Sequence, residues 1–570
     1  MALLCALLLI HLVLAWSGPA TALTSQSGGT VGTCTRIAAG LPARHRNRFH
    51  PRTATARASA QTEAAPEDRT RASFVVRIPE KVWRAAASEH RARIRSLLEP
   101  GLVGLDHPSM ASLRKRFLEM EEDDRWSTML DPKHPVYNFL VEYYGLKGLK
   151  GPKRLARWSP AIGLFFAGDN HNNGPCGESG ADPHTEREAK PAEGVRVRRI
   201  ESLGEYYELS AAHFDDDRDN NHKNNPRIDY SADRCVFLEG ATPDDFGSTL
   251  HLRGAEWIGG DVESIGGGGD DHEIHPIPSG IASDLKGVLY RPTASRNGAA
   301  REDRCGETPP LSRATSLLWY RSVLEATASN DPVLHCYGLH EWAMQYQPEG
   351  AREPPSGRYQ SHLALRVSRT TINETVERKG VSCTHVDALR FFAPAAGPLN
   401  HHGASLERTD QLGLEQPACV HAHMDLLKIA LRLVPYCDPG LLLDVLGVAL
   451  RARALDVGAS PNDCSSYRCR SWGNATAAAT AAAAGTTTPI RTIPIETPAG
   501  RALYKELQKE LMAEAAPIRE RLLSNYETVL RTMYTPDQLE EASENPSDER
   551  FARAEPGGLP WRKNLLERVA

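Results

Sequence analysis

Two runs, Met424–Val434 and Leu441–Leu455, are nearly continuous in Leu, Ile, Val and Ala and are joined by a turn holding Pro439 and Gly440. Helices that are apolar on every side must be surrounded by protein, so both are expected at the centre of one hydrophobic interior. Other segments have the period needed to cover them. Pro79–Leu98 puts Val82, Ala85 or Ala86, Ile94, Leu97 and Leu98 on one side and arginines on the other. Leu311–Ser329 and Pro498–Leu530 repeat that pattern, and shorter helices are expected at 109–122 and 134–145. Ser361–Val367 and Thr371–Val376 alternate or are β-branched, which predicts a hairpin. The expected class is mainly α with a small β hairpin: a single helical domain, formed by 75–167 and 311–530, interrupted by a long insertion.

The insertion, 168–310, carries Asp215-Asp216-Asp217, the four glycines 266–269 and Asp270-Asp271-His272-Glu273-Ile274-His275, with few apolar clusters. Such composition buries too little apolar surface for dense packing, so small structured islands such as Cys235–Leu238 and Gly287–Tyr290 are expected in a polar background. The acidic His-containing run reads as a solvated loop. An Ala/Thr tract at 474–488 is low-complexity filler, and 531–570 is a polar tail.

At the other end, Ala2–Trp16 is an apolar run followed by Ala20-Thr21-Ala22, a pattern expected of a signal peptide at 1–22. Leu23–Gln61 then holds six arginines and no acid, the composition of a transit segment within a 23–74 linker. The two together resemble the two-part leaders of algae with complex plastids, so the expected address is a plastid stroma, with secretion as the alternative. Nine cysteines beyond this leader form no regular framework, which fits reduced thiols. No transmembrane segment is expected after leader cleavage. Removing the six leader charges takes the formal charge from −5 to −11, against the basic surface a duplex-DNA binder needs. The only basic cluster in the body, Lys147–Arg157, reads as a solvated loop and helix end.

Three stretches could carry chemistry. Cys336 and His340 are one helical turn apart, with Glu341 beside them. Cys383, His385 and Asp387 alternate, so in an extended segment they share a face, and Arg390 is a local ion-pair partner for Asp387. Cys419 precedes the first apolar helix, on which His421, Asp425 and Lys428 form one stripe. Thiol, imidazole and carboxylate together suit a transition metal or an acid–base site. Asp425, with His421, Glu341, Asp387 and Lys428, supplies the candidate catalytic groups. Cys336, His340, Cys383, His385 and Cys419 form the metal-ligand pool, with Zn or Fe as the expected ion. His134, Tyr144 and Trp158 line a pocket or belong to an aromatic core, and Asn400 lies in the polar link after the second stretch. A structural polar core is the bland alternative for all three.

The ordered blocks HPVYNFLVEYYGL, RLARWSP, CYGLHEWAMQY, CTHVDALRFFAPAAGPLN, LEQPACVHAHMDLLKIALRL, RALDVGASPND and PIETPAGRALY resemble a bacterial family usually labelled 3-methyladenine DNA glycosylase. The resemblance spans nearly all of the expected core and skips the insertion. It implies excision of alkylated purines, with a flipped base stacked on Trp342, Phe391 or Phe392 and with Asp425 or Asp387 activating water. Arg390 and Asn400, read from the chain itself, join Trp342 as candidate substrate contacts. The helix-hairpin-helix pattern of glycosylases is not evident in the chain. A metal-dependent or acid–base enzyme acting on a small molecule is the competing expectation.

Overall fold

The computed structural model describes residues 73–167, 195–212, 233–253, 255–258, 285–292, 311–351, 362–470 and 487–544. The leader, the acidic His-containing run, the glycine run 266–269, most of the Ala/Thr tract and most of the polar tail lie outside them. Within them the chain is mainly helical, and no helix is long and apolar enough to cross a membrane.

Strand β1 (Ser73–Ile78) leads directly into α1 (Glu80–Leu98). Strands β2 (Val195–Arg199), β3 (Asp233–Glu239), β4 (Ala255–Ile258) and β5 (Gly287–Tyr290) join β1 in one mixed sheet of order β2-β1-β3-β5-β4. β1 runs parallel to β2 and β3, whereas β3–β5 and β5–β4 are antiparallel. Side-chain alternation splits the sheet into two buried faces. Val76, Ile78, Val236, Leu238, Val288 and Tyr290 meet the helical core, while Val75, Cys235, Phe237, Ile258 and Leu289 form a smaller cluster behind. The two expected islands are thus β3 and β5, paired with Leu238 opposite Val288.

The helices follow as α2 (Leu311–Ser329), α3 (Leu339–Gln345), α4 (Arg369–Glu377), α5 (Val420–Leu433), α6 (Pro439–Ala459) and α7 (Pro498–Met533). α6 is buried along most of its surface, with a half-buried stripe at Gly440, Asp444, Gly447, Arg451 and Ala454; α5 and α7 pack against it, and α2 closes over α7. Asp438 caps α6 by accepting from the Leu441 N–H at 2.7 Å, with Pro439 as the first helical residue.

Two local expectations are corrected. No hairpin forms at 362–376: Ser368 caps a helix there by accepting from the Thr371 N–H at 3.1 Å, and Ile372, Thr375 and Val376 bury one helical face. The cap and the three-to-four spacing outweigh the β-branched composition. The helices expected at 109–122 and 134–145 are fragments, chiefly Arg114–Leu118 and Asn138–Glu142, broken by 3₁₀ turns.

Candidate metal centre

The three stretches converge. α3 starts after Gly338, whose φ of +69° turns the chain so that His340 and Glu341 enter the core in the first helical turn. α5 points His421, Asp425 and Lys428 the same way, and α6 presents Arg453 and Asp456 one turn apart. An extended segment, 381–385, brings in His385, and the short helix Val386–Leu389 brings in Asp387.

His340 Nε2–H donates to Asp456 Oδ1 at 2.6 Å, with both side chains fully buried. Arg453 bridges the same Asp456 and Glu341, the latter at 2.7 Å. On the other side, His385 Nε2 lies 3.3 Å from Asp425 Oδ2. Lys428 Nζ lies 4.0 Å from Asp425 and 3.8 Å from Asp387, which also accepts from Arg408 at 2.8 Å. The His421 ring joins the two halves: its centroid is 4.4 Å from that of His340, and it stacks on His385 at 4.7 Å with planes 16° apart.

Burial and charge set the proton inventory. Burial disfavours the His340 imidazolium, but the Asp456 carboxylate outweighs it and holds the pKa well above its ordinary value. His385 is likewise raised: burial opposes the charge and the Asp425 carboxylate prevails. His421 goes the other way, pushed well below its ordinary value by burial and then by His340 and His385, so it is a neutral imidazole. Burial alone would raise Asp425 and Asp456, yet Lys428 and His385 hold the first ionised, and His340 and Arg453 hold the second. Buried Glu341 is raised, chiefly by desolvation, against the opposing pull of Arg453.

Among the described residues two groups offer ligand atoms that all lie within 4.8 Å of one another: His340, His421 and Asp456; and His385, Asp387 and Asp425. Neither contains a thiol, unlike the expected ligand pool. Burial pushes the Cys383 thiol up to about 12 and Cys419 well above the usual thiol range, so neither is a ready thiolate ligand. Cys336 Sγ instead sits 3.8 Å from His340 Nδ1.

The remaining expected site residues hold the fold. Tyr144 is nearest, donating to the Met424 carbonyl at 2.8 Å beneath α5. Asn400 clamps the 381–385 segment: its Oδ1 accepts from the Cys383 N–H at 2.9 Å and its Nδ2 donates to the Cys383 carbonyl at 3.2 Å. His134 contacts the Arg468 carbonyl at 3.0 Å and meets Tyr137 and Tyr467 edge-on. Trp158 donates to Tyr206 at 3.2 Å. Trp342 is fully buried and donates to the Ala459 carbonyl at 2.8 Å. Arg390 does not pair with Asp387; it is exposed and lies over the Phe391 ring at 4.7 Å.

Sequence reasoning missed Asp456 and Arg453. The available signal was their presence in a helix otherwise built for full burial, where a charge must find a partner. Comparison with protein-family models, with curated proteins and with solved structures found no match.

Proposed function

We propose that the chain is a metal-dependent enzyme acting on a small molecule, with one divalent ion, Zn or Fe, held by His340, His421 and Asp456. The observation that carries this reading is the convergence of the His340, His421 and Asp456 donor atoms, from three different helices, inside 4.8 Å of one another. Burial and the neighbouring imidazoles, which push His421 below its ordinary pKa, favour the uncharged form a metal ligand needs. Two imidazoles and a carboxylate form a borderline nitrogen–oxygen donor set suited to either ion. Such an ion supplies a Lewis acid and lowers the pKa of bound water. Metal uptake there displaces the proton shared by His340 and Asp456, since ligands bind deprotonated.

The second group is assigned to acid–base work. Asp387 and Asp425 already have Arg408 and Lys428 as counter-charges, which leaves His385 to hold and release a proton against Asp425. Arg453 and Glu341 keep Asp456 in place from behind.

Base excision is the weaker reading. It needs an open aromatic face for a flipped base. Trp342 is fully buried beneath Arg366, and one side of Phe391 is taken by Arg390. In the basic cluster, Lys153 is turned inward to Asp124 at 3.3 Å, which removes it from any phosphate-binding face. The proposed address is a plastid stroma, where the free thiols at Cys235, Cys336, Cys383, Cys419, Cys437, Cys464 and Cys469 suit a reducing medium.

Elemental analysis of the full chain purified under reducing conditions is the test. About one Zn or Fe per chain, lost in His421→Ala, is expected for a single three-donor site. No stoichiometric ion, or an unchanged content in the variant, overturns the reading. Release of free base from methylated DNA, abolished in Asp425→Asn, would instead favour the glycosylase.

A further inference from the structure

A separate cavity of about 410 Å³ is lined in part by His335 and Tyr337, the chain neighbours of Cys336, and by Ser382, the neighbour of Cys383. That volume falls within the range of small-molecule pockets. Its wall holds three fixed cations, Arg378, Lys379 and Arg501, together with the imidazoles of His335 and His401. No carboxylate among the described residues lines it. In a chain of net charge −5 this concentration of positive charge is against the average. Arg378 and Lys379 are exposed and enter no ion pair among the described residues.

The cavity is built rather than merely left over. Gly380 has a φ of +69°, and a Cβ there would lie 2.6 Å from both His401 Nε2 and the Leu399 carbonyl, so only glycine permits this close turn. His401 Nε2 donates to the Lys379 carbonyl at 2.6 Å and fixes the cationic turn. Arg501 donates to the Ile495 and Glu496 carbonyls at 2.8 and 3.2 Å, which sets its guanidinium in place. The lining also includes Tyr337, the one non-glycine residue with positive φ (+51°) among the described residues. Left-handed backbone at a non-glycine residue persists where the surroundings over-determine it, commonly at ligand sites. Leu339 and Ile495 add an apolar floor, and the hydroxyls of Thr375 and Ser382 add neutral donors.

We infer that this cavity is a binding site for a phosphate monoester with a compact apolar body. Arginine forks and a lysine ammonium match the dianionic oxygens, and the Leu339–Ile495 floor takes the organic part. A dianion is preferred to a monoanionic carboxylate because Arg378 and Lys379 face it without an ion-pair partner among the described residues, while Arg501 adds a third cation that shares the Glu496 carboxylate with Arg366. The site is independent of the metal reading, since none of the centre's donor side chains lines it.

Calorimetric titration of the full chain with phenyl phosphate tests this, with benzoate, benzyl alcohol and inorganic phosphate as comparison probes. Phenyl phosphate is expected to bind tightest, and Arg378→Gln/Lys379→Gln to weaken it roughly tenfold or more, because two charge-assisted contacts go. Both side chains are exposed, so circular dichroism of the variant should match the parent. Arg114→Gln/Lys115→Gln, on a distant exposed helix, makes the same change in net charge and should leave binding unchanged. No binding of phenyl phosphate overturns the proposal, as does equal loss in the two double variants. Equal binding of benzoate overturns the phosphate assignment, and equal binding of benzyl alcohol overturns the role of the cations.

Discussion

Asp456→Asn perturbs the candidate centre with the least change of shape. The carboxylate is fully buried and accepts from two cations, His340 at 2.6 Å and Arg453 at 2.5 Å. The amide offers one neutral acceptor where two charged ones stood, and its NH₂ faces a donor. Removing one partner of a buried ion pair costs about 3–5 kcal/mol. Two features place this case at the lower end: Arg453 retains Glu341 at 2.7 Å, and His340, without its counter-charge, sheds its proton rather than remain a buried cation. A loss of about 3 kcal/mol is therefore expected for metal-free protein, read as a fall in the denaturant midpoint at unchanged m-value. Asp444→Asn on the same helix is the control. Its pair with Arg521 is about one-third exposed on both sides and should cost less than about 1 kcal/mol. A loss below about 1 kcal/mol for Asp456→Asn, or equal losses at the two positions, would refute the reasoning that Asp456 is the counter-charge of the core.

Two further outcomes follow from residues away from the centre. His90 is buried in α1 and donates to the Leu155 carbonyl at 2.8 Å, and desolvation lowers its pKa to about 4. Its stabilising contribution is complete above the unfolded value near 6.5 and is lost as pH falls towards 4, by about 3 kcal/mol in all; His90→Gln should flatten that limb of the stability–pH curve, and an unchanged slope counts against it. Asn400→Ala removes a buried amide that bonds the Cys383 N–H, the Cys383 carbonyl and the Gly403 carbonyl. It should cost about 2–3 kcal/mol in denaturant unfolding, whereas a cost within about 0.5 kcal/mol would show that the clamp is dispensable.

What could be read from sequence was set by range. Spacings of three, four and seven residues place His421, Asp425 and Lys428 on one face of a helix, and that face is local information. The partner of His340 is 116 residues away: a charge in so apolar a helix signals that Asp456 needs a partner, but nothing local says which one. The central helices were legible because an all-round apolar run has one stable environment. The sheet was not, because its strands are four to seven residues long and separated by polar chain that dominates any average. Thiols beside imidazoles suggested metal ligands. Burial gives Cys383 and Cys419 the opposite chemistry, since a desolvated cysteine keeps its proton and packs as a small apolar group.

The central claim is that three side chains from α3, α5 and α6, and no thiol, hold one ion. Anaerobic titration of metal-free protein with Co(II), followed by visible absorption, tests it most directly. The account predicts d–d bands that saturate at about one equivalent, vanish in Asp456→Asn and persist in Cys336→Ser and Cys419→Ser, with no thiolate-to-cobalt charge transfer. A thiolate band, or binding that survives Asp456→Asn, would contradict it.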